Sequence, residues 1–312
     1  MKILVTGGSG FVGHALINQL SERHEITCFG RRKPIGWDGD FVEGELENLS
    51  TSELDLSGFD VVIHSAARAH VMHDESNNPL EEYRKVNTHA TLELAKLAAA
   101  QGVGRFVFIS SVKVNGESTE NVAFSADDNI NPTDDYGISK AEAEQQLAHL
   151  SASSSMDVVV VRPPLVYGPG VKANFASLFK LAGKGIPLPL GGVNRNARSL
   201  VSLYNLVDFI ETCASKPNAA NQTFLVSDGE DVSTRELVEK LAVVQGKSPW
   251  MVPIPLALFQ LLGKLTGKSA AIDRLIGSLQ VDIQKNRRVL DWTPPYTMQQ
   301  SLERMMDELK SS

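Results

Sequence analysis

The sequence predicts an α/β protein built on a doubly wound parallel sheet, with a smaller lobe towards the C-terminus. The first observation is a series of short β-branched runs that are apolar throughout, which is typical of strands covered on both faces. The second is the helical pattern between successive runs, which makes neighbouring strands parallel and places helices on both sides of the sheet. The runs are KILV (2–5), EITCF (25–29), DVVIH (60–64), RFVFIS (105–110) and DVVVVR (157–162).

The third observation is a glycine-rich loop, VTGGSGFVG at 5–13, in which two glycine registers overlap. Gly8, Gly10 and Gly13 form one register, and Gly7 replaces Gly8 in the other. The loop follows a strand and opens a helix with apolar spacing, which is the context of a Rossmann-type dinucleotide site. In this interpretation Gly8 makes the tight turn, Gly10 admits a pyrophosphate and Gly13 lets the helix approach the sheet. The predicted dinucleotide contacts in the loop are Gly7, Gly10, Phe11, Val12 and Gly13.

A pair of arginines ends the second strand, in CFGRR at 28–32. An NAD site usually has an acid at this point for the ribose 2′-hydroxyl, whereas Arg31 and Arg32 suit a 2′-phosphate through charge-assisted hydrogen bonds. The sequence therefore favours NADP(H) as cofactor and leaves NAD possible; alternatively, the arginines are solvated loop charges. Because GEL at 44–46 follows the third strand, Glu45 and Leu46 are candidates for the adenine end.

The candidate chemistry lies in YGISK at 136–140 and FVFISSVKVNG at 106–116. Tyr136 and Lys140 are four residues apart, so a helix places them on one face. A tyrosine hydroxyl ionises near pH 10, and a neighbouring ammonium group such as that of Lys140 can lower this pKa towards neutrality. Ser111 lies at the carboxyl end of a buried strand, where open α/β sheets bind ligands. It can hydrogen-bond a substrate oxygen; alternatively, it is a backbone-bonded turn residue.

Length, net charge and cysteine content limit the classes of protein and partner that fit this chain. A chain of 312 residues is long enough for one large domain and a smaller lobe. Its net charge of −7 does not favour nucleic acid as a partner. Cys28 and Cys213 stand in apolar stretches without metal-ligand spacing, so we expect buried thiols, no metal and a cytoplasmic location.

The apolar segment 252–267 is too short and too broken by prolines for stable membrane insertion. It therefore predicts a packed amphipathic helix, with peripheral membrane contact as the alternative.

The regular alternation of strands and helices ends after Arg162, where turn-rich segments begin. We therefore expect an NAD(P)-binding Rossmann domain at 1–165. A strand at 223–228 predicts that 201–228 returns to this domain. The remaining segments, 166–200 and 229–312, are expected to form a substrate-binding lobe.

Taken together, these elements resemble the extended short-chain dehydrogenase/reductase family over nearly the whole chain. The matching segments are TGGSGFVG (6–13), VIHSAAR (62–68), VNTHATLEL (86–94), FISSVKVNG (108–116), YGISK (136–140) and RPPLVYGPG (162–170). The resemblance implies that Tyr136 is the general acid and base, that Lys140 lowers its pKa and holds the nicotinamide ribose, and that Ser111 orients the reacting oxygen. It also implies a dinucleotide lined by Ser65, Ala66, Ala67, Asn87, Tyr136 and Lys140. His64 is left open between lining the dinucleotide and packing in the core.

Within that family the chain is most similar to UDP-sugar 4-epimerases and 4-keto-sugar reductases. RSLVSLYNLVD at 198–208 resembles their phosphate-contacting segment, and VKANF at 171–175 resembles their substrate loop. The resemblance implies that the substrate is bound by Ser111, Asn174, Phe175, Arg198 and, from a looser match, Arg274. For Arg274 the alternative is a salt-bridging arginine at the surface. Two departures matter: Asn115 stands where most epimerases have a tyrosine, and Arg31 stands where most have an acid.

The arginine pair decides the order of the functional hypotheses. A 4-keto reductase consumes NADPH, whereas a redox-neutral 4-epimerase benefits from one tightly held NAD. We therefore expect reduction at C4. The segments SSVKVNGE and PPLVYGPGVKANF resemble enzymes that make N-acetylated 6-deoxy sugars for surface polysaccharides, which implies a UDP-4-keto-6-deoxy-N-acetylhexosamine as substrate. The first alternative is a UDP-glucose or UDP-N-acetylglucosamine 4-epimerase, and the non-enzyme alternative is a dinucleotide-binding regulatory protein. Dehydration is disfavoured, because Val112 and Lys113 follow Ser111 where dehydratases usually have an acid pair. The resemblance also implies a homodimer.

Overall fold

The computed structural model describes residues 1–49, 54–69, 78–267 and 269–311. Its strands are β1 (Lys2–Thr6), β2 (Glu25–Gly30), β3 (Asp40–Glu43), β4 (Val61–His64), β5 (Arg105–Ile109), β6 (Asp157–Arg162), β7 (Leu165–Tyr167), β8 (Arg198–Ser202), β9 (Thr223–Leu225) and β10 (Asp231–Val232). Seven of them form one sheet in the order β3-β2-β1-β4-β5-β6-β9, and every neighbouring pair is parallel. The predicted doubly wound α/β class is confirmed.

Helices cover both faces of this sheet and build most of the second lobe. They are α1 (Phe11–Leu20), α2 (Pro79–Arg84), α3 (Thr91–Ala100), α4 (Asp135–Ser153), α5 (Ala173–Ala182), α6 (Leu203–Ser215), α7 (Thr234–Val244), α8 (Leu256–Thr266), α9 (Ser269–Ile276), α10 (Gln284–Leu290) and α11 (Met298–Ser311). A π-helical segment, Lys85–Ala90, joins α2 to α3. No helix in the described ranges is both long enough and apolar enough to cross a bilayer.

The order of the strands creates the crevice in which a ligand can lie. The chain moves outward from β1 through β2 to β3, and then returns to the other side of β1 with β4. The carboxyl ends of β1 and β4 therefore border the point where the direction of winding reverses, which is where open α/β sheets bind ligands. The loops after β1, β4 and β5 all open at this edge.

Two apolar cores flank the sheet. Alternate side chains of β1, β4 and β6 meet α1 and α6 on one face, where Leu16, Ile17 and Phe209 are fully buried. The other faces of the same strands meet α3 and α4, where Leu94 and Leu147 are fully buried. The strands are thus covered on both sides, which explains why their sequences are apolar without alternation.

The second lobe has a core of its own. A small sheet in the order β10-β8-β7 lies beside α5, α7 and α11. Phe175, Leu237 and Met298 are buried together there. Strand β9 pairs with β6, so residues 223–225 form the last strand of the large sheet.

Candidate active site

The glycine loop brings β1, α1 and the end of β4 into close contact. Gly7 has a φ of +76°, and a Cβ there would lie 2.6 Å from the Ala66 backbone nitrogen. A Cβ at Gly13 would lie 2.0 Å from the Gly7 carbonyl oxygen, so α1 can approach the loop only with glycine at this position. The tight turn is therefore made by Gly7, and the expectation that Gly8 makes it is wrong. Gly8 is required for another reason, because a Cβ there would meet Cys28 Sγ at 2.3 Å.

The first turn of α1 forms a cradle for an anion. Gly10 is exposed and precedes the helix, and its backbone N–H donates to the Gly7 carbonyl at 2.8 Å. Within the helix the ladder begins with His14, whose N–H donates to the Gly10 carbonyl at 2.9 Å. The N–H groups of Phe11, Val12 and Gly13 come before it, where a helix has no carbonyl partners of its own and carries a partial positive charge. The residues present therefore fit the pyrophosphate of a dinucleotide.

The loops that would take the adenosine half are open to solvent. Arg31 and Arg32 follow β2 directly and are both exposed. Glu45 is also exposed, and its carboxylate accepts a hydrogen bond of 2.8 Å from Asn48 Nδ2. Leu46 is half-buried against the core beside α3. All four side chains lie on the loops that follow β2 and β3, beside the glycine cradle.

Asn87 positions the loop after β4. It is fully buried in the π-helical segment, and its Oδ1 accepts from the Arg68 backbone N–H at 2.8 Å. Its Nδ2 donates to the Arg68 carbonyl at 3.1 Å and to Ser139 Oγ at 3.0 Å. In the same loop Ser65 Oγ donates to the Thr6 carbonyl at 2.7 Å, next to the half-buried Ala66 and the exposed Ala67. Asn87 thus ties the loop to α4, and Ser65 ties it to β1.

His64 is a packed histidine. It is fully buried at the end of β4, with Nδ1 2.7 Å from Thr6 Oγ1 and Nε2 2.9 Å from Thr91 Oγ1. Desolvation, assisted by the Lys140 amine, lowers its pKa to about 3. Of the two roles left open for it, the structure supports the packed one.

This buried imidazole predicts a loss of stability in acid. The unfolded chain takes up a proton below about pH 6.5 and the folded chain does not, so the folded state is disfavoured by about 1.4 kcal/mol per pH unit below that point. We expect urea unfolding to show this slope between about pH 6 and pH 4. His64→Gln keeps a donor and an acceptor for the two threonines but does not titrate, so its unfolding free energy should depend less on pH. An equal slope in both proteins would contradict the assignment.

Tyr136 and Lys140 lie one turn apart near the start of α4, as their spacing predicts. Tyr136 is half-buried and stands edge-on to Tyr83, with ring centroids 6.1 Å apart. Lys140 is almost fully buried, and its Nζ donates to the Ile109 carbonyl at 2.9 Å and lies 4.4 Å from the centroid of the Phe108 ring. The lysine is thus anchored to the end of β5, beside Ser110 and Ser111.

The electrostatics of this pair differ from the expectation. Desolvation, followed by the Asp134 carboxylate, raises the pKa of Tyr136 above its ordinary value. Desolvation also lowers the pKa of Lys140 to about 7, although the Glu144 carboxylate acts in the opposite direction. An amine with this pKa is only partly charged at neutral pH, so it stabilises a tyrosinate less than a fully charged lysine does. The expected lowering of the tyrosine pKa by Lys140 is therefore not found.

The two serines after β5 have different environments. Ser111 is half-buried and caps the short helical turn Val112–Val114, accepting from the Lys113 backbone N–H at 3.3 Å. Ser110 is buried and donates to Glu144 on α4. Ser111 is therefore the more accessible of the two to a substrate oxygen.

A buried ionic network stands behind Lys140, and the sequence reasoning missed it. Glu144 accepts two hydrogen bonds from Arg162 Nε, at 3.0 and 3.1 Å, and a third from Nη2 at 2.5 Å. Arg162 Nη1 also donates to Asn115 Oδ1 at 3.0 Å, and Asn115 Nδ2 donates to the Ser125 carbonyl at 2.9 Å. Asn115, the departure from the usual tyrosine, is thus built into the wall of the site. The four-residue spacing from Lys140 to Glu144 was the available signal, because it places both side chains on one helix face.

Lys113 and Asp134 are a second pair that the sequence reasoning did not assign. Asp134 caps α4, accepting from the Gly137 backbone N–H at 2.7 Å, and it also binds Lys113 Nζ. Lys113 Nζ donates to Glu117 as well, at 2.7 Å. The available signal was the aspartate three residues before Gly137, at the start of a helix that carries Tyr136. The pair connects the serine loop to the tyrosine helix.

Two arginines meet in the second lobe. Arg198 begins β8, is half-buried, and its Nη1 donates to the Arg274 carbonyl at 2.7 Å and to the Gly277 carbonyl at 3.1 Å. Desolvation and the Arg274 guanidinium lower the pKa of Arg198. The structure thus places the segment 198–202 against the end of α9, although the sequence linked the two arginines only loosely. A pair of cations held this closely favours an anionic ligand.

The loop before α5 carries the remaining candidates. Asn174 is exposed in the first turn of α5, directly after Ala173, whose φ of 57° is unusual for a residue with a side chain. Phe175 is fully buried and stacks on Tyr167, with ring centroids 5.2 Å apart. The Phe175 side chain thus anchors the first turn of α5 in the lobe core, so a substrate contact at this residue would involve its backbone.

Comparison with known proteins gives consistent matches. The family described as the NAD dependent epimerase/dehydratase family matches residues 3–227. A UDP-glucose 4-epimerase of Vibrio cholerae is 51% identical over 306 residues, covering 97% of this chain and 93% of that protein. An N-acetyl-α-D-glucosaminyl-diphospho-ditrans,octacis-undecaprenol 4-epimerase of Escherichia coli O157:H7 is 26% identical, covering 98% and 94%. Among solved structures, MoeE5 in complex with UDP-glucose and NAD has a TM-score of 0.79 at 24% identity, covering 100% and 99%.

Proposed function

Because the chain belongs to the NAD-dependent epimerase/dehydratase family and is an enzyme of that family, we propose that it is a UDP-sugar 4-epimerase. The observation that carries this proposal is the 51% identity to a UDP-glucose 4-epimerase over nearly the full length of both chains. The geometry agrees with it, since Ser111, Tyr136 and Lys140 lie together at the carboxyl edge of the sheet. The comparisons favour this alternative over the 4-keto reductase expected first from the sequence.

The roles of the residues follow from their surroundings. Tyr136 exchanges a proton with the oxygen on C4, and its raised pKa keeps the hydroxyl protonated until a ligand changes its environment. Ser111 holds the same oxygen by hydrogen bonding. Lys140 would hold the nicotinamide ribose, and its buried amine is positioned by the Ile109 carbonyl. NAD, when bound, would supply the acceptor and then the donor of the hydride at C4.

The binding of UDP is assigned to the second lobe. Arg198 and Arg274 bring positive charge to the end of α9, which suits a diphosphate. Asn174 is exposed in the first turn of α5 in the same lobe and is the candidate for uridine or phosphate. These positions support a division into two parts. A domain at 1–165 and 201–228 binds the dinucleotide, and a lobe binds the UDP-sugar.

NAD is the proposed cofactor. The family description specifies NAD, and the comparisons give no support to the NADP(H) preference inferred from Arg31 and Arg32. Both arginines are exposed at the end of β2, which agrees with the alternative that they are solvated loop charges. Epimerisation returns the hydride to the sugar, so a bound NAD needs no exchange between turnovers.

A second candidate substrate is a sugar diphosphate carried on a polyprenol. The relative from Escherichia coli O157:H7 acts on such a substrate by its name, and the match covers 98% of this chain. In this chain the specific observation is a row of exposed leucines on α8, formed by Leu258, Leu261 and Leu265. Helix α8 packs against α9, which carries Arg274. The diphosphate and the sugar would be bound as in a UDP-sugar.

The proposal is tested by incubating the purified protein with UDP-glucose and with UDP-N-acetylglucosamine, without added reductant. We expect each to reach equilibrium with its C4 epimer, measured by proton NMR, with no net consumption of NADH. Polyprenyl diphosphate-linked N-acetylglucosamine in detergent distinguishes the second candidate in the same assay. Turnover only with a 4-keto sugar and NADPH, lost in Arg31→Ala/Arg32→Ala, would restore the reductase hypothesis.

A further inference from the structure

Helix α8 has two apolar faces, and only one of them packs against the protein. Phe259 and Gly263 are buried, and a Cβ at Gly263 would lie 3.0 Å from Ile272 Cγ1 of α9. Leu258, Leu261 and Leu265 are instead 43%, 52% and 75% exposed. A surface helix needs one apolar stripe to hold it in place, so the second stripe calls for another explanation.

The three exposed leucines form one continuous stripe. They are spaced by three and four residues, which places them on the same side of a helix. Lys264 and Gln260 are exposed beside them on the same helix. Single exposed leucines are ordinary, but a row of three with flanking polar residues marks a surface that meets an apolar partner.

The lobe around α8 is positively charged, although the chain as a whole is acidic. Residues 169–207 carry five basic and no acidic side chains, and residues 240–281 carry five basic and one acidic side chain. The whole chain has 30 basic and 37 acidic residues, so the basic excess is concentrated in these two stretches. This distribution complements a surface with negative charge.

Backbone hydrogen bonds join the two basic stretches at a point where two further apolar side chains, Ile186 and Trp250, are exposed. The Leu188 backbone N–H donates to the Trp250 carbonyl at 2.8 Å, and the Val252 N–H donates to the Leu188 carbonyl at 2.8 Å. Trp250 is 63% exposed at this junction, and Ile186 is exposed two residues before Leu188. Exposed tryptophan and lysine close to an apolar helix face are typical of proteins that lie in the headgroup region of a bilayer.

We propose that the second lobe docks peripherally on an anionic lipid bilayer through Leu258, Leu261 and Leu265 of α8. The leucine stripe enters the boundary between headgroups and acyl chains, and Lys264, with the basic stretches around it, meets the anionic headgroups. The helix lies in the plane of the membrane, since its 11 residues are too few to cross it. This binding surface does not depend on the proposed function.

The position of this surface points to a class of substrate for the proposed function, and this part of the inference rests on that function. Helix α9 packs on α8 and carries Arg274, whose carbonyl accepts from the Arg198 guanidinium. A membrane-docked lobe would therefore hold its candidate diphosphate site close to the lipid surface. An enzyme placed in this way can take a sugar diphosphate whose lipid chain stays in the bilayer.

Sedimentation with lipid vesicles tests the docking surface on the full-length protein. We expect binding to vesicles of phosphatidylcholine with phosphatidylglycerol, and weaker binding to phosphatidylcholine alone or in high salt. Leu261→Glu/Leu265→Glu should lower the partition coefficient by at least about tenfold. The matched control Val122→Glu/Leu309→Glu adds the same charge at two other exposed apolar residues and should change it less than about twofold.

The outcomes separate the possible occupants of the stripe. Failure of the unmodified protein to sediment, or equal loss in both variants, would overturn the proposal. A dimer that becomes monomeric only in the α8 variant, measured by light scattering, would show instead that a second copy covers the stripe. Epimerisation of soluble UDP-sugar is expected to be unchanged in both variants. Membrane binding without any epimerisation would therefore reject the proposed function and leave the docking surface standing.

Discussion

Replacing Tyr136 by phenylalanine is expected to lower the turnover number for C4 epimerisation by about 10²–10⁴-fold, the usual contribution of a positioned general acid and base. The ring stays edge-on to Tyr83, so the packing at the start of α4 is kept. Only the hydroxyl that exchanges a proton with the C4 oxygen is lost. NAD content, measured after denaturation of the purified protein, should remain as in the unmodified enzyme.

The matched control for this change is Tyr83→Phe. Tyr83 is the ring partner of Tyr136 and also loses only a hydroxyl, but it lies on α2 and has no assigned part in proton transfer. It should keep its turnover within a small factor. Unchanged turnover in Tyr136→Phe, or an equal fall in both variants, would remove Tyr136 from the reaction.

The pH dependence of turnover carries further information about this site. Desolvation lowers the pKa of Lys140 to about 7, so its charge changes close to neutrality. A bound substrate that brings negative charge to the site would favour the ammonium form and move this pKa upward. We therefore expect substrate binding to strengthen the electrostatic support that Lys140 gives to an ionised Tyr136.

The sheet could be predicted from sequence because its strands are covered on both faces. Runs such as those at 106–109 and 158–161 are apolar at every position, which is typical of strands buried on both faces. The glycine cradle was also predictable, but not which glycine makes the turn. Gly7 and Gly8 are equivalent in the motif, and they are distinguished only in the fold, where Gly7 has a positive φ and lies against the backbone of the distant Ala66.

Other features of the site depend on contacts that sequence cannot locate. Phe175 was expected at the substrate because of its place in a motif, yet Tyr167 stacks on it in the lobe core. The pKa values of Tyr136 and Lys140 depend on how much water the surrounding loops exclude, and spacing along α4 does not contain that information. The pairing of Arg198 with the end of α9 joins residues 76 positions apart.

Glu144→Gln is expected to cause the largest loss of stability among single changes in the site. Glu144 and Arg162 are 8% and 5% exposed, and the carboxylate accepts three hydrogen bonds from the guanidinium. Removing one charge leaves the other buried without compensation, which costs about 3–5 kcal/mol. Urea unfolding of the cofactor-free protein at neutral pH measures this difference in the free energy of unfolding.

Glu142→Gln on the same helix is the matched control. Glu142 also accepts three hydrogen bonds from an arginine, Arg84, but both side chains are about one-third exposed and Arg84 keeps a second partner in Glu81. Water can replace the lost charge there, so the unfolding midpoint should change little. Equal losses in the two variants would mean that burial of the Glu144–Arg162 pair does not decide its contribution.

The same two variants also test whether Glu144 only stabilises the fold or also sets the pKa of Lys140. The Glu144 carboxylate raises the lysine pKa against desolvation, and it stands one helical turn away. Its removal should therefore shift the ionisation of Lys140 to lower pH, visible as a shift of the alkaline limb of the turnover profile, where the ammonium form is lost, measured at a temperature well below the unfolding midpoint. Glu142→Gln should leave that limb in place. A destabilised Glu144→Gln enzyme with an unshifted profile would restrict Glu144 to a purely structural role.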